Sequence, residues 1–105
     1  MIARVTLAEI DTLRIGVDRA VERFRERILP ALREQPGYRG LYALATPEGA
    51  ALVMSLWDDE ASADAGLATG FYEAQVDQFV TLFRSPPGRT TYRVVVEDRA
   101  GVATG

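Results

Sequence analysis

Apolar and polar positions alternate at the start of the chain. From residue 2 to residue 10, Ala3, Val5 and Leu7 fall on one side of the pattern. The opposite side carries Ile2, Arg4, Thr6 and Ala8. Successive side chains of a strand point to opposite faces of its sheet, so a period of two is typical of a β-strand. The alternation over residues 2–10 therefore predicts the first strand.

The apolar spacing changes to that of a helix at residue 17. Apolar residues then recur three or four positions apart, at Val17, Ala20, Val21, Phe24, Ile28, Ala31 and Leu32. This spacing predicts an amphipathic helix with one buried face. Pro30 lies inside the pattern and lacks a backbone donor, so we expect a kink or a separate last turn there. Pro36 and Gly37 then end the helix.

Two short apolar runs follow, at residues 38–45 and 50–57, and Thr-Pro-Glu-Gly joins them. Because proline and glycine favour turns, the pattern predicts a β-hairpin. If Thr46 pairs with Gly49, then Tyr42 lies opposite Val53. One face of the hairpin then carries Tyr38, Tyr42, Leu44, Ala51, Val53, Ser55 and Trp57, and the other carries Leu41, Ala43, Leu52, Met54 and Leu56.

A second helix and a fourth strand complete the pattern. Asp58 or Asp59 is a suitable cap for a helix that starts weakly through residues 61–68 and breaks near residue 70. Its continuation has an apolar stripe formed by Tyr72, Val76, Phe79, Val80 and Phe83. Residues 90–97 are rich in valine and threonine, which favours a strand. Residues 98–105 are small and polar and predict a flexible tail.

The predicted order is strand, helix, strand, strand, helix, strand. Two right-handed crossovers around a central hairpin give a ferredoxin-like α+β fold, with a four-stranded antiparallel sheet and both helices on one face. Residues 1–97 are expected to form this single domain.

Both faces of the predicted hairpin are apolar, although two helices cover one face of a sheet. An exposed patch of this kind is rare in monomers. We therefore expect a homodimer with sheet packed on sheet. The expected interface consists of Leu41, Ala43, Leu52, Met54 and Leu56. The alternative, a monomer covered by its own C-terminal tail, is disfavoured because residues 97–105 are few and polar.

Composition narrows the classes of function. The chain has 105 residues, of which 48% are hydrophobic, and its net charge is −3. It lacks the basic field that drives nucleic-acid binding. It has no cysteine and no histidine, which excludes thiol chemistry and serine–histidine hydrolysis and argues against a metal or histidine-ligated haem. No cofactor is expected.

Nothing in the sequence predicts a membrane protein. No apolar run approaches the roughly 20 residues of a membrane span. The first ten residues alternate and carry Arg4 and Glu9, a pattern unlike that of a signal peptide. We expect a cytoplasmic protein.

Several short motifs carry a family resemblance. They are Leu29-Pro30, Arg33, Pro36-Gly37-Tyr38, Gly40 and Leu56-Trp57 before an acidic helix start. With the element order, they resemble the dimeric α+β barrel superfamily, and within it the antibiotic biosynthesis monooxygenase-like family, over residues 1–97. The resemblance implies a barrel of two sheets between protomers and a small-molecule cleft in each protomer between sheet and helices.

The resemblance also implies an activity. Members of the family include enzymes that oxidise aromatic polyketides with oxygen and no metal or flavin, which implies for this chain a monooxygenase of a small aromatic or quinol-type compound. A haem-degrading branch uses a histidine on the second helix, which this chain lacks. The polyketide-oxidising branch has an asparagine four residues before the tryptophan, where this chain has Val53. The alternative is therefore a non-catalytic ligand-binding or purely structural dimer, and no catalytic residue is assigned.

The residues expected to line the cleft are aromatic with a few polar groups. They are Trp57, Tyr38, Tyr42 and Tyr72, with Ser55 and Gln75 as orienting partners. The alternative is that the aromatic residues are packed core. Oxygenation without a cofactor needs a group that stabilises a substrate anion, and Arg4 and Arg93 on neighbouring strands are candidates. Their alternative role is an ion pair at the surface or interface, with Glu97 near Arg93.

Overall fold

The computed structural model describes residues 1–68, 83 and 88–101. Its elements, in chain order, are β1 (Ile2–Glu9), α1 (Val17–Arg23), a π-helical segment (Phe24–Ile28), α2 (Leu29–Arg33), β2 (Tyr38–Ala45), β3 (Ala50–Trp57), α3 (Glu60–Ala68) and β4 (Gly88–Arg93). The strands form one four-stranded antiparallel sheet in the order β2-β3-β1-β4. The predicted ferredoxin-like α+β fold is confirmed.

The first helix changes its geometry just before Pro30. The Leu29 N–H donates to the Phe24 carbonyl, five residues back, as in a π-helix. Pro30 has no N–H to donate, and its ring crowds the carbonyl four residues before it. A wider turn ahead of the proline accommodates both effects, and α2 then begins at Leu29 with the proline in its first turn. The expected separate last turn is therefore present.

The hairpin turn is one residue longer than expected. The Thr46 N–H donates to the Ala50 carbonyl at 2.9 Å, and the Gly49 N–H donates to the Thr46 carbonyl at 3.0 Å. Thr46 therefore pairs with Ala50, and Pro47, Glu48 and Gly49 form the turn. Gly49 has a φ of +102°, which glycine adopts without strain. The assumed pairing of Thr46 with Gly49 is wrong for this reason.

This longer turn shifts the register of most of the hairpin. Tyr42 lies opposite Met54, not Val53, and Leu44 lies opposite Leu52. An irregularity between Tyr38 and Gly40 restores the expected pairing of Tyr38 with Trp57.

Directly opposed residues in an antiparallel pair share a face, so the two hairpin faces differ from the prediction. Leu41 and Ala43 lie on the face of Ser55 and Val53, not on that of Leu52, Met54 and Leu56. Tyr42 and Leu44 take their place on the second face.

The helices cover the face that carries Arg4, Ser55 and Trp57, and we call it the helix-side face. The opposite face, which we call the open face, carries Val5, Leu7, Tyr42, Leu44, Leu52, Met54, Leu56 and Tyr92. Leu7, Tyr42, Leu44 and Tyr92 on this face are 55–64% exposed. Val5, Leu52, Met54 and Leu56 are half-buried. The open face is thus broadly apolar, and four of its eight named side chains are exposed in one chain.

A small core lies near the hairpin-turn end of the sheet. Ile10, Ile15 and Ala20 are buried together, with Ala51 and Phe83 packed against them. Phe83 forms a β-bridge with Ile10. Its expected place in the apolar stripe of the second helix is therefore wrong, because its backbone pairs as extended chain. The other residues of that stripe lie outside the described part of the chain.

The last strand is shifted toward the N-terminus relative to the prediction. It spans residues 88–93, not 90–97, and the Val94 N–H donates to the Met1 carbonyl at 3.0 Å. Pairing ends there because β1, its neighbour, begins at Ile2. Residues 94–99 follow without a regular element. In the described ranges, no helix is long and apolar enough to cross a membrane.

Gly49 provides a test of the turn. A Cβ at this position would lie 2.6 Å from the Ile10 carbonyl oxygen, and its φ disfavours any other residue. We expect Gly49→Ala to lower the free energy of unfolding by about 1–3 kcal/mol, measured by urea denaturation. Gly88→Ala is the matched control, since a Cβ there meets no atom within 4 Å, and it should change stability by less than about 0.5 kcal/mol. Equal stability of the two variants would contradict this description of the turn.

Candidate functional site

Trp57 is the centre of the candidate site, at the end of β3 farthest from the hairpin turn. Trp57 is 6% exposed. The indole Nε1 donates to the Ser55 Oγ at 2.9 Å. The Tyr38 ring meets the indole edge to face, with ring centres 5.6 Å apart and planes at 75°. The hydrogen bond and the aromatic contact together fix the plane of the indole.

Ser55 connects this tryptophan to β1. The Ser55 hydroxyl donates to the backbone carbonyl of Arg4 at 3.4 Å, and Ser55 and Arg4 are directly opposed in the sheet. The two side chains therefore share the helix-side face. Both residues are 8% exposed, so a polar cluster lies buried beside the aromatic pair.

The Arg4 guanidinium joins three elements. Its Nε donates to the Thr91 Oγ1 of β4 at 3.2 Å. Its two terminal nitrogens donate to the Ala63 carbonyl and to the Asp64 carboxylate, both in α3. A buried charge is tolerated when it is paired and hydrogen-bonded. These contacts satisfy that requirement and hold α3 against the sheet.

The start of α3 is fixed by the turn before β2. The Asp58 N–H donates to the Gly37 carbonyl at 2.9 Å, and a Cβ on Gly37 would lie 2.3 Å from the Ser62 Oγ. Glycine at this position lets the helix approach closely. The resembling motif Pro36-Gly37-Tyr38 thus has a structural role beside the site, because it seats the helix that carries Ala63 and Asp64.

Asp59 caps α3, as expected for one of the two aspartates. Its Oδ1 accepts the Ser62 N–H at 2.7 Å. This hydrogen bond lowers the pKa of the Asp59 carboxyl below its ordinary value. The carboxylate is therefore ionised at neutral pH and complements the helix start.

The Tyr38 hydroxyl is held in its neutral form. Burial raises the pKa of Tyr38 above its ordinary value of 10.0, and the nearby positive charge of Arg33 lowers it by a smaller amount. At neutral pH the hydroxyl is thus a hydrogen-bond donor.

The residues expected to line the cleft do not all lie together in the structure. The structure brings together Trp57, Tyr38 and Ser55. Tyr42 is on the open face and 64% exposed, because of the register shift, so its placement in the cleft is wrong. Tyr72 and Gln75 lie outside the described residues.

The two arginines proposed to stabilise a substrate anion differ in burial. Arg4 forms an ion pair with Asp64, as its alternative role predicted, but it is buried on the helix-side face and not at the surface. Arg93 is exposed, and Glu97 pairs with Arg99 at 3.2 Å. Sequence reasoning missed Asp64, the carboxylate partner of Arg4. The available signal was the charge of Arg4 on an inward-facing position, which requires an opposite charge from the covering helix.

Val53, at the position where the resembling branch has asparagine, is also on the helix-side face. It is half-buried and lies between Thr6 of β1 and Ala43 of β2. In the part of the chain that the structure describes, no group of three or more acidic side chains gathers as a metal site would require.

A separate groove lies at the hairpin-turn end of the sheet. Its volume is about 540 Å³, and Thr12, Gly16, Val17, Asp18, Ala45, Thr46 and Pro47 line it. These residues come from the loop after β1, the start of α1 and the hairpin. The groove therefore lies at the opposite end of β3 from Trp57.

Comparison with solved structures agrees with this architecture. The chain is similar to SnoaB, a cofactor-independent oxygenase from Streptomyces nogalater, with 15% identity, a TM-score of 0.72 and coverage of 91% of this chain and 94% of that one. It is also similar to a Streptomyces coelicolor monooxygenase from the gene ActVA-Orf6, bound to nanaomycin D, with 18% identity, a TM-score of 0.68 and coverage of 99% and 92%.

A third similar structure is an antibiotic biosynthesis monooxygenase, with 18% identity, a TM-score of 0.72 and coverage of 91% of this chain and 100% of that one. The chain thus has the fold of the antibiotic biosynthesis monooxygenase-like proteins, as the resemblance implied. No protein-family model matches the chain, and no curated protein matches it.

The ionisation of Tyr38 can be tested by alkaline unfolding. Since its pKa is raised in the folded chain, the folded state binds the proton more tightly than the unfolded state. The resulting stability is present below about pH 10 and is lost as the pH rises through the folded value. We expect Tyr38→Phe to lose less stability than the parent between about pH 9.5 and 11.5, measured by urea denaturation at each pH.

Leu13→Ala, at a side chain that is 94% exposed and off the open face, is the control and should follow the parent. Identical pH dependence of the parent and Tyr38→Phe would contradict the burial of this hydroxyl.

Proposed function

We propose that the chain is a cofactor-independent monooxygenase that oxidises a small aromatic or quinol-type compound between the sheet and its helices. The observation that carries the proposal is the buried Trp57, held by Ser55 and Tyr38 on the helix-side face. Its support is the shared fold with two proteins described as a cofactor-independent oxygenase and a monooxygenase. An aromatic wall with a few oriented polar groups suits a flat, largely apolar ligand.

Tyr38 gives the site a means of stabilising charge. Oxidation of this kind begins when a phenol or an enolisable ketone loses a proton and becomes electron-rich enough to reduce oxygen. A neutral hydroxyl beside the ligand can donate a hydrogen bond to the resulting oxyanion. A tyrosine hydroxyl is protonated at neutral pH, and burial raises the pKa of Tyr38 further above its ordinary value, so the hydroxyl is a donor there.

The proposed reaction is balanced by substrate and oxygen alone. In an anthrone-type substrate, the ring CH₂ group becomes a carbonyl, which removes four electrons from the substrate. Dioxygen accepts those four electrons, and one oxygen atom enters the product while the other leaves as water with the two hydrogens. The protein's task in this scheme is to bind the ligand, stabilise its anion and exclude water.

We also propose that the protein acts as a homodimer through the open face. The interface predicted from the sequence is revised by the observed register: Tyr42 and Leu44 join Leu52, Met54 and Leu56, and Leu41 and Ala43 leave it. Leu7, Tyr42, Leu44 and Tyr92 are more than half exposed on this face, and a contiguous apolar patch of this kind is unfavourable in a lone chain. The same face of a second copy is self-complementary under two-fold symmetry.

A second candidate function is ligand binding without catalysis. The observation that favours it is Val53, an apolar residue where the resembling oxygenases carry an amide. Valine offers no hydrogen bond to a substrate or to a reduced oxygen species. The two candidates share the ligand and differ in the chemical step.

Oxygen consumption tests the catalytic proposal. With an anthrone-type substrate, we expect uptake of one O₂ for each substrate molecule, and a loss of about tenfold or more in rate for Trp57→Phe, which removes the indole donor and reshapes the wall. Leu13→Ala changes a side chain that is 94% exposed and should keep the parent rate. If calorimetry shows that the substrate binds but no oxygen is consumed, the result would favour the non-catalytic candidate and contradict the monooxygenase proposal.

Light scattering tests the assembly. At micromolar concentration we expect the mass of two chains for the parent. Met54→Arg places a charge in the centre of the open face and should give a single-chain mass, because an unpaired charge is strongly disfavoured in an apolar interface. Leu13→Arg is the control, since Leu13 is 94% exposed and lies off that face. A parent that has the mass of one chain would contradict the proposal.

A further inference from the structure

Arg4 is a buried cation beside the proposed ligand site. Its side chain is 10% exposed. Arginine stays charged at any physiological pH. A charge this deep on the helix-side face is costly unless it has a role or a firm partner. Among the described residues, the carboxylate that pairs with it is Asp64.

The backbone of Arg4 is linked to the aromatic pair through a short chain of hydrogen bonds, and its side chain lies on the same face of the sheet. Trp57 donates to Ser55, Ser55 donates to the Arg4 carbonyl, and Ser55 is the cross-strand partner of Arg4. Side chains directly opposed in an antiparallel sheet are about 5 Å apart at their Cβ atoms. A ring stacked on Trp57 therefore has a cation on the same sheet face, one strand away.

Asp64 is placed so that it can give up this partner. Its side chain is 50% exposed, so water can solvate the carboxylate if it turns away from Arg4. The guanidinium has a planar fork of five N–H donors. The Thr91 and Ala63 contacts occupy Nε and one terminal nitrogen, and they hold the fork while the nitrogen facing Asp64 accepts a new anion.

We infer that Arg4 is the anion-recognition residue of this site, and that the ligand is an aromatic compound with an ionised oxygen that replaces the Asp64 carboxylate on the guanidinium. The inference rests on the proposed function for the position of the ligand beside Trp57, and it narrows the ligand class to aromatic carboxylates, phenolates or enolates. The Asp64 carboxylate then occupies the position on Arg4 that the ligand anion would take.

The competing explanation is that the Arg4–Asp64 pair serves to hold α3 on the sheet. The two explanations give opposite expectations for Asp64→Asn. If Asp64 competes with a ligand anion, its neutralisation leaves an uncompensated positive charge and strengthens anion binding. If the pair is purely structural, neutralisation loosens α3 and weakens binding or leaves it unchanged.

The experiment compares two naphthalene probes of matched shape. At about pH 7.5, 2-naphthoate carries an ionised carboxylate and 2-naphthamide carries none. We expect calorimetry to show that the parent binds the naphthoate about tenfold or more tightly than the amide, since a charge-assisted hydrogen bond to a buried guanidinium is a strong one. Asp64→Asn should widen that preference by a further ~10-fold, and Arg4→Met should abolish it.

The controls separate local from general effects. Arg19→Met removes the cation of an exposed surface pair with Glu22 and should leave the preference unchanged. Circular dichroism verifies the fold of each variant, and if Arg4→Met does not fold, Asp64→Asn decides, because Asp64 is half exposed.

Three results would overturn the inference: equal binding of the two probes to the parent, no binding of either probe, or a preference that falls or stays unchanged in Asp64→Asn. Its failure is distinguishable from failure of the proposed function. Selective binding of naphthoate with no oxygen uptake on any substrate would support anion recognition and contradict the monooxygenase activity.

Discussion

The Arg4 guanidinium lies between the sheet and α3 and bonds to both. The candidate site depends on these contacts. A guanidinium on the inward face of a strand needs partners from the layer above it, and here it finds them in Ala63, Asp64 and Thr91. The capped start of α3 and the glycine turn before β2 place those partners. Ser55 bonds both Trp57 and the Arg4 backbone, so the strand that carries this guanidinium also holds the aromatic pair.

Much of the fold could be predicted from spacing alone. The period of two over β1 correctly separates Arg4 from Ala3 and Val5, because strand geometry fixes which face each side chain takes. The helix pattern and Pro30 predict a helix with a distinct last turn, and the chain has one. These features depend on local chemistry, and the sequence expresses local chemistry directly.

The errors arise where a single backbone choice has distant effects. Gly49 has a positive φ and lies within the turn, so it does not pair with Thr46. As a result, residues 40–45 of β2 pair with β3 one position away from the predicted register. Tyr42 thereby passes from the proposed cleft to the open face. Asp64 was missed for a different reason: its role depends on contact between a helix and a strand about 60 positions apart, and no spacing rule within either element reports that contact.

Trp57 is the one tryptophan of the chain, and this makes the candidate site spectroscopically distinct. Its emission comes from a buried indole bonded to a serine hydroxyl, at the end of the sheet away from the Ile10, Ile15 and Ala20 core. Fluorescence therefore follows one end of the molecule, whereas backbone dichroism averages over all of it. Local opening around the ligand wall and global unfolding would then appear as separate transitions in a single sample.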